Sequence, residues 1–325
     1  MQNLQTYSSY KPVFLDMDGG IDDLISLTVL LTLKKIRLIG VSVTNGNCFS
    51  DNAVESILRI LGMLKNNETE VAVSNASAVN EFPDKWRENT KRVNQIELLK
   101  QHKADYSKLN PEEASDFTAK KILSEEGPTT VILTGPATNL VNTIEKYPEV
   151  KGKIDKIYWM AGAFLANGNV IAPDHDESAE WNIFWDPFAA RKLFSSKINI
   201  TLFPLDACCQ VPVDNYVLYC LKEQAKQPLF EFVLKMIELT YHEHSKYYLW
   251  DLLPTMCLAF PDIAHISNTS VDVELRGTSV GNIFKTSKGF PIFYASMVDD
   301  EKFYDYLFQQ LRDQSEFLGI NLIYA

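Results

Sequence analysis

A chain of 325 residues with 46% apolar side chains can bury a large core, and α/β folds of this length often remain one domain. The net charge of −11 repels a phosphate backbone, which excludes polymeric nucleic acid as a partner. Nothing ahead of Lys11 resembles the apolar core of a signal peptide, and no apolar run reaches the roughly 18 residues of a membrane span, so the reading is a cytoplasmic protein without a membrane partner.

Short β-branched runs alternate along the chain with segments of helical period. Strands are expected at residues 12–15, 37–44 and 130–134, each followed by a helix, at 21–33, 52–64 and 139–145. Further strands are expected at 154–160, 198–205 and 271–275, and helices at 187–194 and 228–241. That rhythm predicts an α/β fold: a single domain over residues 1–325, with a mostly parallel central sheet and helices on both faces. Strand order is not legible. Two stretches, 73–91 and 164–180, are rich in Asn, Asp, Pro and Gly without sustained period, and long loops of this kind are often functional. The five cysteines, Cys48, Cys208, Cys209, Cys220 and Cys257, are odd in number and lack paired metal-site spacing, so they read as reduced thiols, mostly in the core.

The first strand runs into its helix through Asp-Met-Asp-Gly-Gly-Ile-Asp-Asp at 16–23, which gathers Asp16, Asp18, Asp22 and Asp23 at the carboxyl edge of the sheet. Ligands of open α/β sheets bind at that edge. Four carboxylates so close repel one another in a cleft unless a cation or shared protons offset the charge, and a divalent metal that activates water is the expected solution. Helix capping and the helix dipole account for one or two of these acids. They give no reason for Asp16 and Asp18, which fall on one face of the strand.

Thr134 closes another apolar strand before Gly135-Pro136, so its carbonyl or hydroxyl is aimed at the same edge. Asp251 stands among large apolar residues from Tyr247 to Leu253, as either a helix N-cap or a buried acid that needs a partner.

Taken together with Leu-Thr-Gly-Pro-Ala-Thr-Asn (133–139), Trp-Met-Ala-Gly-Ala (159–163), Ala-Glu-Trp-Asn-Ile-Phe-Trp-Asp-Pro (179–187) and Tyr-Tyr-Leu-Trp-Asp (247–251), the aspartate motif resembles the nucleoside hydrolases, which cleave ribonucleosides to base and ribose. Within the family the chain is most similar to the purine-preferring inosine-adenosine-guanosine branch, through residues 82–87, 179–185 and Trp250-Asp251. The resemblance implies a calcium ion held by Asp18, Asp23, the Thr134 carbonyl and Asp251, all hard oxygens. It implies Asp18 as the base that takes a proton from the attacking water. Asp22 and Asn47 are implied on the 2′ and 3′ hydroxyls, Asn169, Glu180 and Asn182 around the 3′ and 5′ hydroxyls, and Met160 as the apolar contact under the ribose. Trp86 and Trp250 are expected to sandwich a purine. A nucleoside substrate, a role in purine salvage and a homodimer or homotetramer follow from the same likeness.

Plainer readings compete at several positions. Asn169 lies in Asn-Gly-Asn, a turn signature; Asn182 and Asp186 precede helical segments and suit caps, and Pro187 after Asp186 favours that role there. Trp181 and Trp185 read as core. His242 and His244 compete for the place of a loop histidine that reaches the site. Uridine and cytidine as additional substrates form the broader alternative. Asp16-Met17-Asp18-Gly19 is also similar to the signature of haloacid-dehalogenase-type phosphatases, but that reading leaves Asp22, Asp23 and Ala-Glu-Trp-Asn without a purpose. A non-catalytic nucleoside-binding protein is disfavoured by the intact Asp18, Asp23 and Asp251.

Overall fold

A computed structural model of the chain describes residues 10–87, 90–241 and 247–318. The parallel strands come first: β1 (Lys11–Met17), β2 (Ile36–Val43), β3 (Val71–Val73), β4 (Thr129–Leu133), β5 (Ile154–Met160) and β6 (Ile200–Phe203). A small antiparallel pair, β7 (Pro212–Val213) with β8 (Tyr247–Tyr248), stands apart, and β9 (Ala264–Val273), β10 (Ile283–Lys285) and β11 (Phe290–Val298) follow. The nine-stranded sheet has the order β10-β9-β11-β6-β5-β4-β1-β2-β3. It is parallel from β3 to β11 and turns antiparallel only where β9 pairs with β11 and β10.

Both faces of the sheet are covered, which is why its central strands read as near-continuous apolar runs. In β1 the side chains of Val13, Leu15 and Met17 enter one core cluster, with helices Ile21–Leu30, Ser50–Met63, Pro228–Tyr241 and Leu252–Ala259. Phe14 points the other way, into a second cluster with Phe117, Leu140, Trp159 and Leu193 from helices Ala114–Ser124, Thr138–Lys146 and Pro187–Phe194 and from β5. The single α/β domain with a mostly parallel sheet is therefore as expected.

The order of strand succession reverses between the parallel neighbours β1 and β4. From β1 the order proceeds outward through β2 and β3, and from β4 it proceeds the opposite way through β5 and β6. Such a switch point opens a crevice at the carboxyl ends of the two strands.

Several expectations need correction. The strand expected at 198–205 is only Ile200–Phe203, because Pro204 starts the short helix Leu205–Cys208. The strand expected at 271–275 is the end of β9, whose earlier residues alternate polar side chains and give no apolar run. Strands β3, β10 and β11 and helices Ala114–Ser124, Leu252–Ala259 and Asp300–Leu318 had no sequence counterpart. All five cysteines are free, with Cys48, Cys208 and Cys257 buried and Cys209 exposed.

Candidate active site

The crevice at the switch point is a cavity of about 340 Å³, within the range of small-molecule sites. Its floor is built from the ends of β1 and β4 and the start of helix Ile21–Leu30. Gly19 adopts φ +79° where a Cβ would collide with Ala53, and Gly20 stands at the helix N-cap. Asp23 returns to accept the Gly20 N–H at 2.8 Å, closing the first turn. That turn places Asp22 and Asp23 beside Asp251, with one carboxylate oxygen from each within 4.8 Å of the others. Asp18 sits next to them, its Oδ2 accepting the Asn47 N–H at 3.0 Å. The Thr134 hydroxyl donates to Asp23, and the Thr134 N–H donates to the Asp16 carbonyl at 2.9 Å, which locks the two strand ends together.

Asp18, Asp22, Asp23 and Asp251 are at most 5% exposed. Burial and then mutual repulsion push Asp18 and Asp251 well above the usual carboxylate range; burial raises Asp22 too, and Asp23 reaches about 7 through burial and the Asp22 charge. No Lys, Arg or His lines the cavity among the described residues. A buried set of hard oxygens without a protein cation is a fit to a divalent metal.

Asp251 occupies the N-cap position of helix Leu252–Ala259, yet makes no side-chain cap hydrogen bond. Its carboxylate faces the cluster instead, which decides between the two readings of that residue. Asp16 is a correction. The alternation of β1 ends at Met17 and the chain turns before Gly19, so Asp16 does not share a face with Asp18. It points behind the sheet, where the Asn139 amide donates to it at 3.0 Å, and burial raises it to about 7. The metal cluster therefore lacks Asp16.

The residues expected near the sugar come from the end of β5, the loop after it and helix Trp181–Trp185. Glu180 is that helix's N-cap, accepting from Asn182 N at 2.8 Å and Ile183 N at 3.3 Å, and also from Gly162 N at 2.9 Å. Burial nevertheless lifts it to about 7. Asn182 is no cap: its amide donates to the Met160 carbonyl at 3.0 Å and the Thr134 carbonyl at 3.3 Å. The Asn169 oxygen accepts from Trp181 N at 3.0 Å, so what this residue offers a ligand is its Nδ2. Met160, Asn169, Glu180 and Asn182 all line the cavity, as do Asn47 and Asp22. Asp186 caps the following helix through Ala189 N at 2.9 Å, in keeping with Pro187 after it.

Aromatic groups wall the cavity. Trp86 packs edge-on to Trp181 at 5.4 Å, and Trp181 stacks on Phe82 at 4.7 Å. Trp250 is set apart with Tyr247 and Tyr248, at 5.4 and 5.5 Å. Trp181 and Trp185 are buried as expected for core, but Trp181 also lines the cavity. Sequence reading assigned no role to Tyr247, nor to Thr90, Thr240 and Tyr248, which also line the cavity. The buried Tyr247 hydroxyl lies against Asp22, and the only signal for it was membership of the Tyr-Tyr-Leu-Trp-Asp motif. His242 and His244 lie outside the described residues.

Residues 13–305 match the family model for inosine-uridine preferring nucleoside hydrolases. The fold aligns with the crystal structure of an inosine-uridine preferring nucleoside hydrolase from Bacillus anthracis at a TM-score of 0.87 and 30% identity, covering 93% of this chain and 99% of that one. Curated relatives include the pyrimidine-specific ribonucleoside hydrolase RihA of Shewanella sp. (strain ANA-3), 29% identical over 73% of this chain and 72% of that protein. A probable uridine nucleosidase 1 of Oryza sativa subsp. japonica is 26% identical over 83% of each. The chain belongs to the inosine-uridine preferring nucleoside hydrolase family and is a hydrolase of N-glycosyl compounds, which sets aside the phosphatase reading. No helix among the described residues is long and apolar enough to cross a membrane.

Proposed function

We infer that this enzyme hydrolyses purine ribonucleosides (inosine, adenosine and guanosine) to free base and ribose, with calcium as its metal, in purine salvage. The observation that carries the reading is the pairing of two aromatic groups, Phe82-Trp86-Trp181 and Tyr247-Tyr248-Trp250, around a cavity floored by four carboxylates. Asp18, Asp23, the Thr134 carbonyl and Asp251 would hold the ion. A calcium ion held there would lower the pKa of a water and make a nucleophile available at neutral pH. Asp18 takes the proton as general base. Asp22 and Asn47 hold the 2′ and 3′ hydroxyls, Asn169, Glu180 and Asn182 surround the 3′ and 5′ hydroxyls, and Met160 supports the ribose.

The leaving base is the remaining problem, and Trp250 has no useful proton to give. Trp86 and Trp250 instead stack on the purine and favour its protonation at N7 by a cation–π attraction, so that it departs neutral. A homodimer or homotetramer belongs to the same reading and rests on the resemblance alone, and a cytoplasmic location rests on the apolar pattern of the sequence.

Relatives named for uridine and pyrimidine substrates favour a second reading, a broader specificity that includes uridine and cytidine. Measuring kcat and KM for inosine, adenosine, guanosine, uridine and cytidine decides between them. Low kcat on both pyrimidines supports the purine reading, and comparable kcat on uridine and inosine replaces it with the broader one.

A further inference from the structure

The loop that carries Asn169 and Glu180 is fixed at both of its roots. At the start, the Asp206 carboxylate accepts from Phe164 N and Leu165 N at 2.7 Å and from Ala166 N at 3.0 Å. At the return, Asn169 N and Val170 N share the Ala179 carbonyl, and Gly168 lies so close that a Cβ there would stand 2.1 Å from the same oxygen. Within the tip, His175 N donates to the Ala172 carbonyl at 3.2 Å and the Asp176 carboxylate accepts from Ser178 N at 3.1 Å. Asp174 and Glu177 both hold left-handed φ angles, 60° and 62°, which are uncommon for non-glycine residues and better tolerated by Asp than by Glu.

His175 supplies the constraint. Its side chain is 2% exposed, edge-on to Phe184 at 5.0 Å. Nδ1 lies 2.9 Å from the Glu177 N–H and Nε2 lies 2.9 Å from the Val280 carbonyl. An N–H can only donate and a carbonyl can only accept, so only the neutral tautomer protonated on Nε2 satisfies both. Val280 belongs to the turn between β9 and β10, and the same turn is tied down by Asp176 N to the Thr278 carbonyl at 2.9 Å and by the Ser279 hydroxyl to the Asp176 carboxylate. Gly281 completes the contact, with no room for a Cβ against the Phe184 backbone.

We propose that His175 is a positioning residue for the sugar: clipped to the β9–β10 turn, it holds the loop so that Asn169 and Glu180 meet the 5′ end of the ribose. The inference rests on the sugar contacts assigned to those two residues above. His175 itself does not line the cavity, and its effect is transmitted through the loop. A shift of about 1 Å in a positioning group can cost on the order of 10²-fold in rate.

The test uses the calcium-loaded enzyme with inosine and 5′-deoxyinosine. His175→Phe keeps an aromatic ring against Phe184 and removes both hydrogen bonds, whereas His175→Gln offers one acceptor and one donor in their place. The expected result is a loss of about tenfold or more in kcat/KM for inosine in His175→Phe, a clearly smaller loss for 5′-deoxyinosine, and substantial recovery in His175→Gln. Equal losses on the two substrates, equal losses in the two variants, or kinetics unchanged in His175→Phe each overturn the proposal. Asn169→Ala measured alongside separates the causes. If it discriminates between the substrates while His175→Phe does not, the clip is wrong; if it fails to discriminate, the sugar assignment has failed and the proposal falls with it.

Discussion

The floor and the walls of the cavity are made by different means. In the floor, Asp18 and Thr134 follow directly from the adjacent parallel strands β1 and β4, whose ends are tied by the bond from Thr134 N to the Asp16 carbonyl; Asp22 and Asp23 sit in the first turn of helix Ile21–Leu30, and Asp251 precedes helix Leu252–Ala259. The walls come from short elements and connections: Trp86 from the four-residue helix Asp84–Arg87, Trp181 from the start of helix Trp181–Trp185, and Trp250 from the residues between β8 and helix Leu252–Ala259. The floor concentrates charge that burial makes costly, so it commits the site to a cation; the walls are nearly uncharged and grip by contact area. On the proposed function the carboxylate floor carries the chemistry and the aromatic walls carry the substrate preference, so changes to the two should read out differently.

The sharpest break falls on the floor. Chelation is expected to abolish turnover, with calcium restoring it; full activity after exhaustive chelation removes the metal from the scheme. Next is the sugar. Because Asp22 and Asn47 would be left unpaired, 2′-deoxyinosine is expected to be discriminated against by up to roughly 10⁴-fold in kcat/KM, and comparable values for inosine and 2′-deoxyinosine contradict those assignments. Asp18→Asn is expected to lower kcat by about 10² to 10⁴ while leaving binding largely intact; a near-wild-type rate means the base lies elsewhere.

The walls give a subtler result. Trp250→Ala is expected to reduce kcat for inosine strongly and to spare an inosine analogue with an activated leaving group. Equal losses on both substrates make Trp250 packing only.

The smallest effect is thermal. Asp16, Asp23 and Glu180 are raised to about 7 by burial, against about 4 in the unfolded chain. The folded state therefore binds more protons between those values, and the stability from these groups is full below about pH 4 and lost as pH rises through about 7. The Tm of calcium-free protein should climb as pH falls from about 8 to about 5, and calcium should flatten the profile by favouring ionised ligands. A calcium-free Tm that rises with pH contradicts this.

How much of this was legible depended on where the signal resided. The β1 and β4 motifs were readable because buried parallel strands give unbroken apolar runs and the polar residues at their ends then stand out. The corner formed by β9, β10 and β11 was not, since β9 alternates residues such as Asn268 and Ser270 with half-covered neighbours, and β11 carries Pro291. Asp16 could not be separated from Asp18 by spacing, because the chain leaves the strand between them. Asp251 was undecidable as cap or cluster member until the helix beginning at Leu252 showed its cap position without a cap bond. Trp181 was readable as core but not as wall, since one indole serves both.

The side-chain amide of Asn182 reaches two carbonyls at once, Met160 at the end of β5 and Thr134 just past the end of β4. It acts as a caliper across the sheet. On the proposed function, drift of one strand end against the other would change both the surface beneath the sugar and the oxygen offered to the metal, so a substitution deep in β4 or β5 is expected to alter nucleoside affinity and calcium affinity together.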